Sequence, residues 1–192
     1  MTPDYSPRQQ AIADAAIAIL GRDGGRALTH RAVDRFLGLP LGSAGNLFPT
    51  RASLLLAATE RIFELDMDVA SLPDLGALLP EAAAELILER FREVDESDEL
   101  LSRTRARVEL QLESPRHDEI RSLLVRGREE FTQLAERLLT AIGTQSATTE
   151  APALTAIIDG LLLQRALFPD QRLTDESLRR AVLSLLQGMA AT

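Results

Sequence analysis

Residues 28–55 read LTHRAVDRFLGLPLGSAGNLFPTRASLL, and the punctuation of this stretch decides the fold. Thr29 is a favoured N-cap residue, and the run after it is expected to form a short helix over 29–37. Leu28 before the cap and Val33 at the fourth helical position make a hydrophobic staple, which sets the angle of chain entry. Gly38 ends the helix, since glycine takes the left-handed conformation that closes one. Pro40 opens another short helix, expected over 41–47, so only Gly38 and Leu39 lie between the two. Phe48-Pro49 breaks the chain again, and Thr50 caps a long helix expected over 51–71. Two short helices joined at a glycine turn and backed by a third have the layout of a helix-turn-helix.

The backing helix lies upstream. Ser6 and Pro7 mark its start, Ile12, Ala16, Ile19 and Leu20 give it one apolar face, and Gly24-Gly25 end it near residue 21. Downstream, the 51–71 helix buries Leu55, Ala58, Ile62, Leu65 and Val69. Further helices are expected at 80–96, 99–114, 116–142, 151–168 and 175–189, bounded by Pro80, Ser97-Asp98, Ser114-Pro115 and the polar run Gly143 to Glu150. No strand pattern and no internal repeat stands out. The reading is all-α, with about nine helices. Composition agrees: Ala and Leu dominate, and aromatic residues make up only 4%, whereas a sheet protein would carry runs of β-branched and aromatic residues.

The chain has no cysteine, so disulfides and thiolate metal sites are excluded. Its N-terminus lacks the basic-then-apolar layout of a signal peptide. Its most apolar stretch, Leu154 to Phe168, carries Asp159, Gln164 and Arg165, which suits a core helix and not a membrane span. A cytoplasmic protein with no membrane partner is expected. The net charge is −8, yet it is unevenly spread. Residues 1–63 carry seven arginines (8, 22, 26, 31, 35, 51, 61) against five acids (4, 14, 23, 34, 60). The remainder carries 14 arginines against 24 acids. The first segment can approach phosphates, and the second repels them.

A helix of about seven residues is short enough to seat in the DNA major groove, where base edges carry a distinct pattern of donors and acceptors. Groove-facing side chains should be small or polar, as Ser43, Ala44, Gly45 and Asn46 are, with Leu41 at the helix start. Asn46 can bond an adenine edge at two points, and Ala44 can touch a thymine methyl. Thr29, Arg31 and Arg51 stand at helix starts, where they can hold phosphates, and His30 lies beside them. His30 and His117 are too few and too far apart for a metal site. No nucleophile-base pair or phosphate-cradling loop occurs, so no enzyme, cofactor or metal is expected.

The segment from Leu28 to Leu55 resembles the DNA-binding head of TetR-family transcriptional regulators. Its anchors are Gly25, Thr29, Gly38-Leu39-Pro40, Gly42-Ser43, Phe48 and Thr50-Arg51. Further on, Thr104-Arg105-Ala106-Arg107, Glu109, Leu112-Glu113 and Asp159-Gly160-Leu161-Leu162 resemble a branch of that family. The resemblance implies a DNA-binding domain over 1–50 and a helical effector-binding and dimerisation domain over 51–192. It implies a repressor of a double-stranded operator, released by a small molecule held in a body cavity near Arg103, Arg107 and Asp159. The chain departs from the family at Gly45 and Leu47, one of which is commonly a phosphate-binding tyrosine. Gly45 also weakens its helix by about 1 kcal/mol relative to Ala. That departure, with the net acidity, motivates an alternative: a helical ligand-binding or scaffold protein that has lost DNA binding.

A homodimer is expected through the last two helices. Leu154, Ile158, Gly160, Leu161, Leu178, Val182, Leu185 and Met189 are spaced like a packing seam. Two helices from each chain would make a four-helix interface about a two-fold axis.

Overall fold

The computed structural model describes residues 5–70 and 75–191, with the side chains of 67–70 excepted. Among them are nine α-helices and no strand: α1 (Pro7–Asp23), α2 (His30–Phe36), α3 (Ser43–Leu47), α4 (Arg51–Ala70), α5 (Pro80–Glu96), α6 (Asp98–Glu113), α7 (Asp118–Ala141), α8 (Ala147–Leu167) and α9 (Asp175–Ala190). The all-α expectation is met. The expected end of α4 at Ser71, and the Val69 side chain on its buried face, lie outside the described residues.

Local chemistry explains most boundaries. At α1 the Ser6 hydroxyl accepts from the Gln9 N–H while the Gln9 side chain accepts from the Ser6 N–H, a reciprocal capping box with Pro7 at the first helical position. Gly24, at φ 82°, closes the helix and donates its N–H to the Leu20 carbonyl. The Thr29 hydroxyl accepts from Ala32 N–H at 3.1 Å. Leu28 and Val33 are both fully buried, so the expected staple forms. Thr50 and Ser53 cap α4 reciprocally, with Ser53 N–H donating to Thr50 Oγ1 at 3.0 Å.

Three helix starts differ from expectation by two residues or more. Helix α3 starts at Ser43 and not at Leu41, because Gly42 sits at φ 90°, a left-handed conformation that no helical residue adopts. Helix α7 starts at Asp118, since Ser114–Arg116 forms a separate 3₁₀ turn around Pro115. Helix α8 starts at Ala147, four residues before the expected start, and holds Pro152 within its second turn. The polar composition of 143–150 read as a loop. In fact Thr149 and Glu150 both donate backbone N–H to the Ser146 carbonyl and nucleate the helix.

The chain divides into two compact units. The first comprises the residues up to Asp68 together with Leu101–Gly127. Its core joins Ile12, Ala16 and Leu20 of α1, Val33 of α2, Ala44 of α3, Leu54, Leu55 and Ile62 of α4, and Ala106 and Leu110 of α6. Each fully buried leucine contributes about 1.5–3 kcal/mol. Helix α6 crosses α1 closely: a Cβ added at Gly21 would lie 2.0 Å from the Ser102 carbonyl oxygen.

The second unit comprises Val69–Leu100 and the chain from Arg128 onward. In its core Ala84, Leu88 and Phe91 of α5 pack with Leu139 of α7, Leu154 of α8, and Leu178, Val182 and Leu186 of α9. No helix of the described residues is long and apolar enough to cross a membrane.

Candidate functional site

The turn between α2 and α3 is held by a residue that sequence reasoning passed over. Asp34, on α2, is 1% exposed. Its carboxylate accepts from Gly42 N–H at 2.7 Å and from Ala44 N–H at 2.8 Å. Such charge-assisted bonds are about twice as strong as neutral ones. A five-residue helix cannot hold itself together in water, so α2 supplies the first-turn partners that α3 lacks. The signal was present: an acid on a short helix of the basic segment, eight residues before a glycine. At the other end of α3, the His30 ring Nε2 lies 2.6 Å from the Phe48 carbonyl. A carbonyl only accepts, so Nε2 carries the proton and donates it there.

This arrangement sorts the expected DNA-contact residues. Asn46 is exposed on α3, and Arg31 is exposed on α2 with no partner among the described residues. Leu41 is 73% exposed and stands in the turn before α3. Ser43 is half-buried and its hydroxyl donates to the Pro40 carbonyl at 2.7 Å. Thr29 is exposed, its oxygen already capping α2. Gly45 lies against the His30 ring, 3.9 Å from where a Cβ would stand.

Two placements are corrected. Ala44 is 0% exposed and belongs to the core, so its methyl group is not available to a thymine. The cause is the short helix: with only five residues, α3 needs one side chain to anchor it, and Ala44 faces inward. His30 is half-buried and braces α3 through Phe48, which takes it away from the expected phosphate role.

Arg51, at the start of α4, is part-exposed but engaged. Its Nη2 donates to the Gly25 carbonyl at 2.8 Å and to Glu113 Oε1 on α6 at 2.9 Å. Beside it, Gly25 N–H donates to Glu109 Oε2 at 2.8 Å. Of the two glutamates of the α6 motif, Glu109 thus grips the segment that joins α1 to α2, and Glu113 grips Arg51 at the start of α4.

The residues expected near an effector separate into two groups. Arg103 and Arg107 of α6 converge on Asp66 of α4, with Arg103 Nε at 3.6 Å from Oδ1 and Arg107 Nη2 hydrogen-bonded to Oδ2. Asp66 is 5% exposed and lies one turn beyond buried Ile62. An acid on that apolar face was the legible sign of a buried partner. Asp159 instead pairs with Arg128 at 2.9 Å in the second unit. That unit also holds Arg165, 4% exposed, hydrogen-bonded to Asp95 and set over the Phe91 ring. Burial, with the nearby Arg172, lowers the Arg165 pKa from its ordinary value.

Of the expected dimer residues, Leu154, Leu178, Val182 and Met189 are buried in the second unit's own core. Ile158, Leu161 and Leu185 are half-buried against it, and Gly160 is exposed. The outward side of α8 carries Ala153, Ala156, Ile157, Gly160, Leu163 and Leu167, all exposed, followed by Phe168. Positions 153, 160 and 167, and likewise 156 and 163, are seven apart, which is two helical turns. They form one apolar stripe.

Residues 78–188 match the profile of a family described as tetracyclin repressor-like, C-terminal domain. The HTH-type transcriptional regulator BetI of Rhizobium meliloti (strain 1021) is 27% identical over 162 residues, covering 83% of this chain and 78% of BetI. Multidrug binding protein EbrR, solved in complex with ethidium, is 30% identical with a TM-score of 0.66, covering 93% of this chain and 98% of EbrR. A transcriptional regulator from Rhodococcus sp. Rha1 shares the fold at a TM-score of 0.79 and 16% identity, covering 95% of this chain and 96% of that one.

Proposed function

Because the chain belongs to the TetR family of DNA-binding transcriptional regulators, we propose that it is a repressor that reads its operator with α3 and is released by a small molecule. The observation that carries the reading is the Asp34 carboxylate on the Gly42 and Ala44 N–H groups. It makes a five-residue helix rigid while leaving Asn46 free at its surface. Residues 1–50 serve as the DNA-reading head, and 51–192 as the effector-binding and dimerisation part. Asn46 reads a base edge. Arg31 and Arg51, with Thr29, position the head on phosphates. Ser43, Gly45 and Leu41 border the contact.

The protein acts as a homodimer, since one short helix reads too few bases for useful specificity. The α8 stripe is a better candidate for that contact than the buried leucines of α9. The family acts by binding rather than by catalysis. The effector is a small organic molecule. EbrR was captured with ethidium, so organic cations head the compounds to screen by thermal shift. Arg103, Arg107 and Asp159 are already in ion pairs, so any of them that meets an effector must exchange a partner.

The test is selection of duplex DNA from a random pool, followed by gel shift over a series of salt concentrations. Wild type should enrich a two-fold symmetric sequence. Asn46→Ala should relax preference at one base pair of each half-site, costing about 1–3 kcal/mol there. Failure to enrich any sequence would return the reading to a ligand-binding protein without DNA.

A further inference from the structure

The α6 motif containing Glu109 and Glu113 has no part in base reading, yet both carboxylates reach the head. Glu109 takes the Gly25 N–H, and Glu113 takes the Arg51 guanidinium at 2.9 Å. The Glu113 side chain is 19% exposed and that of Arg51 is 42% exposed, so the pair sits at the rim and not in the core. Helix α6 cannot slide freely past α1 here, because the Gly21 and Ser102 backbones are in close approach. The Glu113 carboxylate stands beside the first residue of α4.

We propose that Glu113 is an internal competitor of the operator phosphate for Arg51, and so a positioning residue that sets DNA affinity. This rests on the reading of Arg51 as a phosphate contact. A phosphate that bonds Arg51 brings a second anion within a few ångströms of Glu113, and like charges that close repel. Either the guanidinium turns from Glu113 to the phosphate, or the phosphate binds against the repulsion. Both routes make DNA binding weaker than it would be with a neutral residue at 113. Glu109 differs in role: it bonds a backbone N–H and holds the Gly25 turn in place. The arrangement also gives α6 a handle on the head, because any shift of α6 that moves Glu113 changes the competition. His117 Nε2 lies 4.0 Å from the other Glu113 oxygen, and the Glu109 carboxylate stands beside Gly25 with the pair.

The experiment uses the full chain and the duplex that wild type selects, with gel-shift affinities over a salt series for wild type, Glu113→Gln, Arg51→Gln and the double variant. Thermal melting first establishes that each variant is folded. Glu113→Gln should bind about two- to fivefold tighter than wild type, the scale of one part-exposed ion pair. Its salt dependence should steepen by less than about one unit of slope, as the Arg51–phosphate contact that wild type makes in part becomes fully made. In the Arg51→Gln background the gain should vanish. Weaker or unchanged binding by Glu113→Gln would show that the glutamate merely supports Arg51, and would overturn the proposal. A gain that persists without Arg51 would show general charge repulsion, and would overturn it as well. Should Arg51→Gln alone leave wild-type affinity and slope unchanged, the phosphate reading of Arg51 has failed, and the competition falls with it. Absence of DNA binding by wild type would mark a failure of the proposed function itself.

Discussion

At the scale of single residues, the carboxylate of Asp34 carries more of the site than any side chain that faces outward. Removing it leaves the Gly42 and Ala44 N–H groups without their acceptor, and each unsatisfied buried group costs about 1–3 kcal/mol. Asp34→Ala should therefore lower unfolding free energy by about 2–4 kcal/mol in urea titration and abolish operator binding, although no DNA-facing atom has changed. A second residue gives a pH signature. The Tyr5 hydroxyl donates to Glu60, and burial, then Glu60, raises the Tyr5 pKa well above its ordinary 10.0. The folded state thus favours the protonated phenol. That stabilisation is complete below about pH 10 and is lost as pH rises toward the raised folded value. The first unit should lose stability between those limits, and Tyr5→Phe should flatten that part of the profile. Sequence reading found the residues with local grammar, such as the Thr29 cap and Leu28 and Val33 of the staple. It missed Asp34, Asp66 and the inward turn of Ala44 because their roles depend on partners 8 to 41 positions away.

At the scale of elements, caps and prolines located all nine helices, since each signal acts within a turn of the chain. The errors arose where a local signal was ambiguous. Polar residues at 143–150 suit a loop or a first helical turn equally, and the helix that they begin holds Pro152 inside it. Helix α3 shows the reverse case: the expected weakness at Gly45 is real in propensity but is countered by Asp34 and His30 at its two ends. Gly45 is in a helical conformation, and an added Cβ would stand 3.9 Å from the His30 ring, an ordinary contact. Gly45→Ala should therefore stabilise the protein by about 0.5–1 kcal/mol in chemical denaturation. A loss of stability instead would mean that the backbone at 45 needs glycine for a reason other than space.

At the scale of the whole molecule, the charge split bears on the proposed dimer. A chain of net charge −8 is repelled as a whole by a polyanion, and presenting its basic segment twice would strengthen the contact that the segment makes with phosphates. The proposed joining of two copies through the second unit would do this directly, with two heads on one operator about 34–36 Å apart or a multiple of that spacing. The outward stripe on α8 fits this task. Ile157 is 41% exposed, Leu167 44% and Phe168 52%, and they lie along one side of the helix and its end, where contiguous apolar surface marks an interaction site. Gly160 lies between them and lets a second backbone approach, and a two-fold axis would pair the stripe with itself. Leu161 and Leu185 are less clean test sites, because both pack against the protomer core. Exposed positions separate association from folding. Ile157→Glu with Leu167→Glu should leave the thermal transition of the chain cooperative while giving monomers in sedimentation velocity at micromolar concentration. Those monomers should bind the selected two-fold duplex far more weakly and bind a single half-site as wild type does per head. A wild-type chain that sediments as a monomer, or a double variant that remains dimeric, would remove α8 from the interface.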